Sequence, residues 1–279
     1  MKVFLGTGLL GTGFIKAQLK KGNKISAWNR TYSKCEPLAA EGANCFENIQ
    51  DAVREADRIH IIVKDDAAVN EVLAKAEPAL KPGAVIIDHT TTSKEGAIER
   101  TEQWKAKGFF YQHAPVFMGP ANALDCSGYM LVSGDQQLIS SLQKELAEMT
   151  GQLLNLGEQS GKAAAMKLIG NSFLITFGAG IRDMLKLSNA LDINLDDLNA
   201  LFDQWNPGAQ LLPRMNRMAS GDYSSPSWEL QMARKDTGLF IQAAENKNIQ
   251  LAVLPAIASL MDSLIQKGHA NDDWTVIAK

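Results

Sequence analysis

Cysteine is scarce in this chain of 279 residues: Cys35, Cys45 and Cys126 are odd in number, irregularly spaced and include no CxxC pair. Neither a disulfide framework nor a structural zinc site is therefore indicated, and a reducing, cytoplasmic setting is expected. Blocks of one charge are also missing. With 28 basic against 31 acidic residues and a formal net charge of −3, the sequence offers no footprint for nucleic acid or an anionic membrane surface. No stretch approaches the roughly 20 uninterrupted apolar residues of a membrane-spanning helix. The histidines His60, His89, His113 and His269 show no metal-ligand spacing, so no metal is expected, and the absence of a GxSxG elbow leaves Ser-His-Asp hydrolysis unsupported.

Apolar residues make up 46% of the chain, enough to fill the core of one large or two moderate domains. The glycine-broken apolar start runs directly into KAQLKKGNK without a cleavage pattern, so it is expected to be folded structure and not a signal peptide. Short β-type runs, KVFL, KISAW, RIHIIV, AVIID and FFYQH, then alternate with helical segments, the second of which is expected to reach about Glu41. That alternation predicts an α/β fold: a doubly wound parallel sheet with right-handed crossovers. YMLVSG, Tyr129 to Gly134, is expected to add one more strand before a helix near Gln136–Met149. After about Gly161 strand signals stop. An all-helical C-terminal domain is expected, opened by a long helix to about Leu191 and broken at Pro207, Pro213 and Ser220–Ser227. The predicted domains are residues 1–160 and 161–279.

In VFLGTGLLGTGF, Gly6, Gly8 and Gly11 form GxGxxG between the first strand and first helix, the context of a dinucleotide-binding turn. One glycine permits the tight turn, the next admits a pyrophosphate to the backbone, and the third allows close helix–strand packing. Unpaired N–H groups at the helix start would receive the phosphate. Leu9 and Leu10 open that helix and join the candidate cofactor contacts, as do Val63 and Lys64 after the RIHIIV strand. NAD-binding folds usually end the second strand with a carboxylate for the ribose; here it ends in Asn29-Arg30-Thr31. Arg30 can pair with a 2′-phosphate while Asn29 and Thr31 add hydrogen bonds, so NADP(H) is preferred and NAD(H) remains possible.

In GKAAAMKLIGNSF, Lys167 and Asn171 lie four apart and project from one side of a helix. Taken with four further segments, this pair makes the chain resemble the β-hydroxyacid dehydrogenases, the group of 3-hydroxyisobutyrate dehydrogenase, tartronate semialdehyde reductase and the glyoxylate/succinic semialdehyde reductases. The resemblance covers nearly the full length. Its other carriers are the N-terminal glycine stretch with Asn29-Arg30-Thr31, the DHTTTS loop at Asp88–Ser93, HAPVFMGPANALDCSGYMLVSG at His113–Gly134, and ARKDTGL at Ala233–Leu239.

The resemblance implies an N-terminal Rossmann domain, a long interdomain helix, a helical C-terminal domain and assembly as a homodimer or homotetramer. It also implies that Thr91 faces the nicotinamide ribose, that Lys235 edges the cofactor and substrate pocket, and that Pro115, Val116, Phe117, Met118 and Gly119 bind substrate together with Lys167 and Asn171. This chain has Phe117-Met118 where the family usually has Ser-Gly, which removes a hydroxyl and a flexible position that help hold a substrate carboxylate.

Hydride transfer to a carbonyl leaves negative charge on oxygen, so a positioned acid must supply a proton. Lys167 is the candidate, and its ordinary pKa of about 10.4 must be lowered for neutral operation. Asn171 would orient it or the substrate oxygen. The expected enzyme is an NADP-dependent oxidoreductase interconverting a small aldehyde or keto acid and its hydroxy acid. The alternatives are a 3-hydroxyisobutyrate-type dehydrogenase using NAD, an imine reductase-like enzyme, which typically carries a different residue at the Lys167 position, and a non-catalytic dinucleotide-binding module. The expected partner in each enzymatic case is a small molecule, a carboxylate or aldehyde in the leading one.

Overall fold

The computed structural model describes residues 1–279, which divide into two compact units, Met1–Asn171 and Ser172–Lys279. The first is built on six strands: β1 (Lys2–Leu5), β2 (Ile25–Trp28), β3 (Asn44–Phe46), β4 (Arg58–Ile61), β5 (Val85–Asp88) and β6 (Phe110–His113). They form a parallel sheet in the order β3-β2-β1-β4-β5-β6, as a doubly wound fold requires. Helices α1 (Leu9–Lys20), α2 (Glu36–Ala39), α3 (Ile49–Val53), α4 (Asp66–Ala76) and α5 (Lys94–Ala106) connect them. A parallel sheet covered on both faces buries its inner strands, and β2 and β5 are buried along their whole length. Successive side chains of β1 feed opposite cores: Phe4 packs with Phe14, Ile15 and Ile87, whereas Val3 and Leu5 pack with Ile59, Ile61 and Ile86. The strand order reverses at β1 and β4, and the crevice beyond their carboxyl ends is where such sheets bind ligands.

A local expectation is corrected. The helix expected to reach Glu41 is a 3₁₀ turn at Tyr32–Lys34 followed by the single turn of α2, after which the chain returns as β3. Three residues, Asn44, Cys45 and Phe46, are too few to display a strand's period. Tyr129–Val132 is a strand, as expected, and stands outside the main sheet. It is β8 of a second sheet, antiparallel to β7 (Val116–Phe117) and parallel to β9 (Gln152–Asn155). β9 is largely exposed and so carries no apolar alternation.

Two more helices complete the layer, α6 (Pro120–Asp125) and α7 (Gln136–Ala147). α6 lies so close to α1 that a Cβ on Gly13 would stand 2.8 Å from both the Ala123 Cβ and the Pro120 carbonyl oxygen. Close helix packing therefore explains the fourth glycine of the opening stretch.

Helix α8 (Lys162–Ala190) runs across the division. By length and apolar content it is able to cross a membrane. It nevertheless carries Lys167, Asn171, Arg182 and Asp183. The buried Asp183 carboxylate accepts hydrogen bonds from the backbone N–H groups of Ala252 and Val253, both at 2.7 Å, and of Leu254 at 3.1 Å. Those groups begin α12 (Leu254–Leu264), so the acid serves as a long-range helix cap. The second unit is helical: after α8 come α9 (Leu195–Gln204), α10 (Leu211–Ser220), α11 (Leu230–Glu245) and α12. Its small core gathers Tyr223, Leu230, Ala233, Met261, Leu264 and Val276.

Candidate active site

The glycine turn after β1 is fixed by contact distances. Gly6 has φ +112°, and a Cβ there would lie 2.0 Å from the Ile62 carbonyl oxygen; a Cβ on Gly11 would lie 2.1 Å from the Gly6 carbonyl oxygen. Gly8 differs, because a Cβ there would meet nothing within 4 Å. Its constraint comes from the open space it faces. Gly8 is also the N-cap of α1, with no side-chain cap and no acidic residue in the first turn. By contrast α4, α5 and α7 are capped by Asp65, Ser93 and Asp135. The first N–H groups of α1 are thus left for a phosphate.

They open into a cavity of about 750 Å³. Of the residues named from sequence, Gly6, Gly8, Leu9, Leu10, Asn29, Arg30, Thr31, Val63, Lys64, Thr91, Val116, Met118 and Lys167 line it. Gly11, Pro115, Phe117, Gly119 and Asn171 do not, although Asn171 and Phe117 both touch Lys167. Lys235 belongs to the second unit, where its ammonium is exposed and 3.0 Å from Asp236. Lys34, Glu71, His89 and Thr90 line the cavity without having been named as contacts. His89 and Thr90 lie inside the DHTTTS segment and were open to notice; Lys34 and Glu71 carry no pattern that marks them.

The two ends of the cavity are built differently. At the end of β2, Asn29 spends its side chain on the backbone: Oδ1 accepts from the Thr7 N–H at 3.2 Å and Nδ2 donates to the Thr31 carbonyl at 2.9 Å. It ties the glycine turn to the next loop. Arg30 is 79% exposed and paired only loosely with Glu71, at 3.9 Å. A guanidinium so placed can turn to a phosphate at little cost. No carboxylate ends β2, so a 2′-phosphate would meet no repulsion there.

At the end of β5 the DHTTTS loop is held from behind by a buried network. Asp88 accepts from the Thr90 N–H at 2.9 Å and from the Tyr111 hydroxyl at 2.6 Å. The buried Arg100 donates to the Tyr111 oxygen at 2.9 Å and to Asp66 at 2.8 Å, and Asp66 in turn accepts from the Ser93 N–H at 2.9 Å. Val63 N–H donates to the Thr90 hydroxyl at 3.2 Å. His89 donates through Nδ1 to the Ala114 carbonyl at 2.8 Å, which leaves Nε2 to accept from His60 Nδ1 at 3.0 Å. Burial pushes the His89 pKa down to about 3, so the ring is neutral.

Lys167 projects from the first turns of α8, half-buried, and donates to Asn171 Oδ1 at 3.0 Å. Burial lowers its pKa below the ordinary lysine value, the direction a proton donor at neutral pH requires. Its ammonium stands 4.3 Å from the centroid of the Phe117 ring. That ring fills the space over Gly170 so closely that a Cβ there would lie 2.3 Å from the Phe117 Cζ. Phe117, Lys167 and Asn171 therefore form one packed group.

This is a dinucleotide site in geometry, and the comparisons with known proteins agree. Residues 3–157 match the model of the NAD binding domain of 6-phosphogluconate dehydrogenase. The chain belongs to the β-hydroxyacid dehydrogenase family. Among its relatives is glyoxylate/succinic semialdehyde reductase 1 of Arabidopsis thaliana, 27% identical with 98% of this chain and 96% of the relative covered. The cytokine-like nuclear factor N-PAC of Drosophila melanogaster is 25% identical over 98% of this chain but only 46% of its own length, so this β-hydroxyacid dehydrogenase chain spans about half of that relative. An imine reductase from Myxococcus stipitatus, solved with NADP+, has the same fold: TM-score 0.89, 24% identity, 99% and 98% of the two chains covered. As a member of the family the chain has an NAD(P)-binding domain, and the free N–H groups, open Gly8 and cavity described above fit such a cofactor.

Proposed function

We propose that the protein is an NADP-dependent oxidoreductase that interconverts a small aldehyde or keto acid, of the glyoxylate or semialdehyde type, and its hydroxy acid. The observation that carries this reading is Lys167: a half-buried amine of lowered pKa, hydrogen-bonded to Asn171, on the wall of the cavity into which the uncapped start of α1 opens.

The bound nicotinamide supplies or accepts the hydride. The protein's own part is positional and acid–base. Gly6, Gly8 and the first N–H groups of α1 receive the pyrophosphate, and Arg30 pairs with the 2′-phosphate. Thr91, in the loop anchored through Asp88 and Arg100, faces the nicotinamide ribose. Lys167 gives its proton to the oxygen that gains charge and takes it back in the reverse direction, while Asn171 Oδ1 holds the ammonium in place. Val116 and Met118 wall the substrate end. The enzyme works in the cytoplasm as a homodimer or homotetramer whose assembly covers Phe173, Leu174, Ile175 and Phe177 on α8, all of them exposed in the single chain.

The test is oxidation of NADPH, followed by absorbance, across glyoxylate and short semialdehydes with the parent and Lys167→Ala. Turnover by the parent that is unchanged in the variant removes lysine from its role. Imine reduction is a second reading, favoured by the Phe117 ring where the family usually places serine. Turnover of cyclic imines in place of carbonyls in the same assay selects it.

A further inference from the structure

The β2–β3 region contains a pair of thiols that the proposed chemistry does not use. Cys35 follows the Tyr32–Lys34 turn and is buried; Cys45 sits in the middle of the edge strand β3 and is half-buried. Their sulfurs are 2.6 Å apart, and the Cys45 thiol donates to the Cys35 carbonyl at 3.0 Å. Both are free thiols. A disulfide needs about 2.05 Å, so bond formation asks for a shift of only about half an ångström.

We propose that Cys35 and Cys45 form a reversible intramolecular disulfide, and that this bond weakens the hold of the adjoining loop on the cofactor's adenosine phosphate. Cys45 is the thiol an oxidant reaches, because β3 is the sheet edge while Cys35 has no exposed surface. With a peroxide as oxidant, the Cys45 thiolate attacks the O–O bond and becomes a sulfenic acid, one oxygen leaving as water. The Cys35 sulfur then displaces the sulfenic oxygen as a second water and the S–S bond closes. Two electrons pass from the sulfur pair to the peroxide. A small dithiol reverses the step by exchange.

The coupling follows from the chain path. Lys34, immediately before Cys35, lines the cavity, and its carbonyl accepts the Thr7 hydroxyl at 3.2 Å. Thr7 in turn bonds Asn29, which bonds Thr31. β3 lies on the far side of β2 from β1 and its glycine turn. Drawing Cys35 toward Cys45 therefore pulls Lys34 away from Thr7 and loosens the contact that joins the two phosphate-binding loops. The coupling rests on the cofactor reading above; the bond does not.

The experiment treats the full chain with hydrogen peroxide, alkylates the remaining thiols and maps peptides by mass, with NADPH affinity read in parallel from its fluorescence on binding. The expected result is a linked Cys35–Cys45 peptide, Cys126 still alkylated, full reversal by dithiothreitol and a several-fold weaker NADPH affinity in the oxidised form, all absent in Cys45→Ser. Sulfinic acid at Cys45 with Cys35 still alkylated, or no link while Cys126 is oxidised, overturns the pair. A linked peptide with unchanged NADPH affinity overturns the coupling. If the reduced protein fails to bind NADPH at all, the cofactor reading fails while the peptide map still decides the bond.

Discussion

The loops after β2 and after β5 flank the same cavity, yet they are held by opposite means. Residues 29–34 rest on backbone hydrogen bonds from Asn29 and Thr7 and present Arg30 to solvent. Residues 88–93 are fixed by Asp88, Tyr111, Arg100 and Asp66, three of which are buried. A group that selects a cofactor by charge can be exposed and mobile, because a phosphate reaches it wherever it swings. A group that sets the distance between a ring carbon and a substrate carbon tolerates no such freedom, since small misplacements cost large factors in rate. The contrast predicts that changes near the β2 loop alter which cofactor is used, whereas changes behind the β5 loop or at Lys167 alter turnover and stability.

The largest effect belongs to Lys167. Lys167→Ala should lower kcat by roughly 10²–10⁴-fold with little change in NADPH binding, as expected for loss of a general acid. In the parent, kcat/KM for reduction should fall on the alkaline side below the ordinary lysine range, because the folded pKa is lowered by burial. A profile flat into that range would mean that another group supplies the proton.

Arg100→Leu comes next. It leaves Asp66 and Asp88 without their cation and should cost about 3–5 kcal/mol in denaturant unfolding, with turnover lost alongside. A variant of full stability and normal turnover would break the claim that the buried network sets the β5 loop.

Acid should act on the same side of the contrast. His60 and His89 are buried, and burial lowers both pKa values, that of His89 to about 3. Their unfolded values lie near 6.5, so their neutral forms favour folding fully above that pH and progressively less as pH falls toward 3. Burial alone would raise the Glu145 pKa, but its ion pairs with Lys2 at 3.1 Å and Arg58 at 3.0 Å hold it below the ordinary value, so its contribution is lost as pH falls below about 4.5. Urea midpoints should therefore decline steadily below pH 6.5. A constant midpoint down to pH 4 would contradict the buried neutral rings.

On the other side, Arg30→Ala should raise KM for NADPH on the order of tenfold while leaving NADH nearly unchanged, through loss of one charge-assisted contact. Equal effects on both cofactors would contradict the 2′-phosphate assignment. The smallest change is Glu71→Gln. Removing the carboxylate 3.9 Å from Arg30 should lower KM for NADPH by on the order of twofold, and a rise would show that Glu71 holds Arg30 in its working position.

Much of the site could be read from order along the chain. The glycine turn, Arg30, the DHTTTS loop and the Lys167/Asn171 face are local patterns whose meaning lies in the elements joining them, and alternation of short apolar runs with helices sufficed for the parallel sheet. β3 and β9 escaped because the first is three residues long and the second is mostly exposed, so neither shows a period. Glu71 and Lys34 were invisible for another reason. Lys34 reaches the cavity because its turn is tied to Thr7, and Glu71 because α4 follows β4, the sheet neighbour of β1, and nothing in neighbouring residues records either.

By itself the sequence determined the chemistry available: an uncapped glycine-led helix, a cation in place of an acid after the second strand, and an amine one helical turn from an amide, since these depend on spacings of a few residues. Only the tertiary structure decided which groups share a wall, that Phe117 lies against Lys167, that Arg100 stands behind the β5 loop, and that Cys35 meets Cys45. Those pairings follow from strand order and helix packing, which bring together residues whose separation along the chain carries no signal of their closeness.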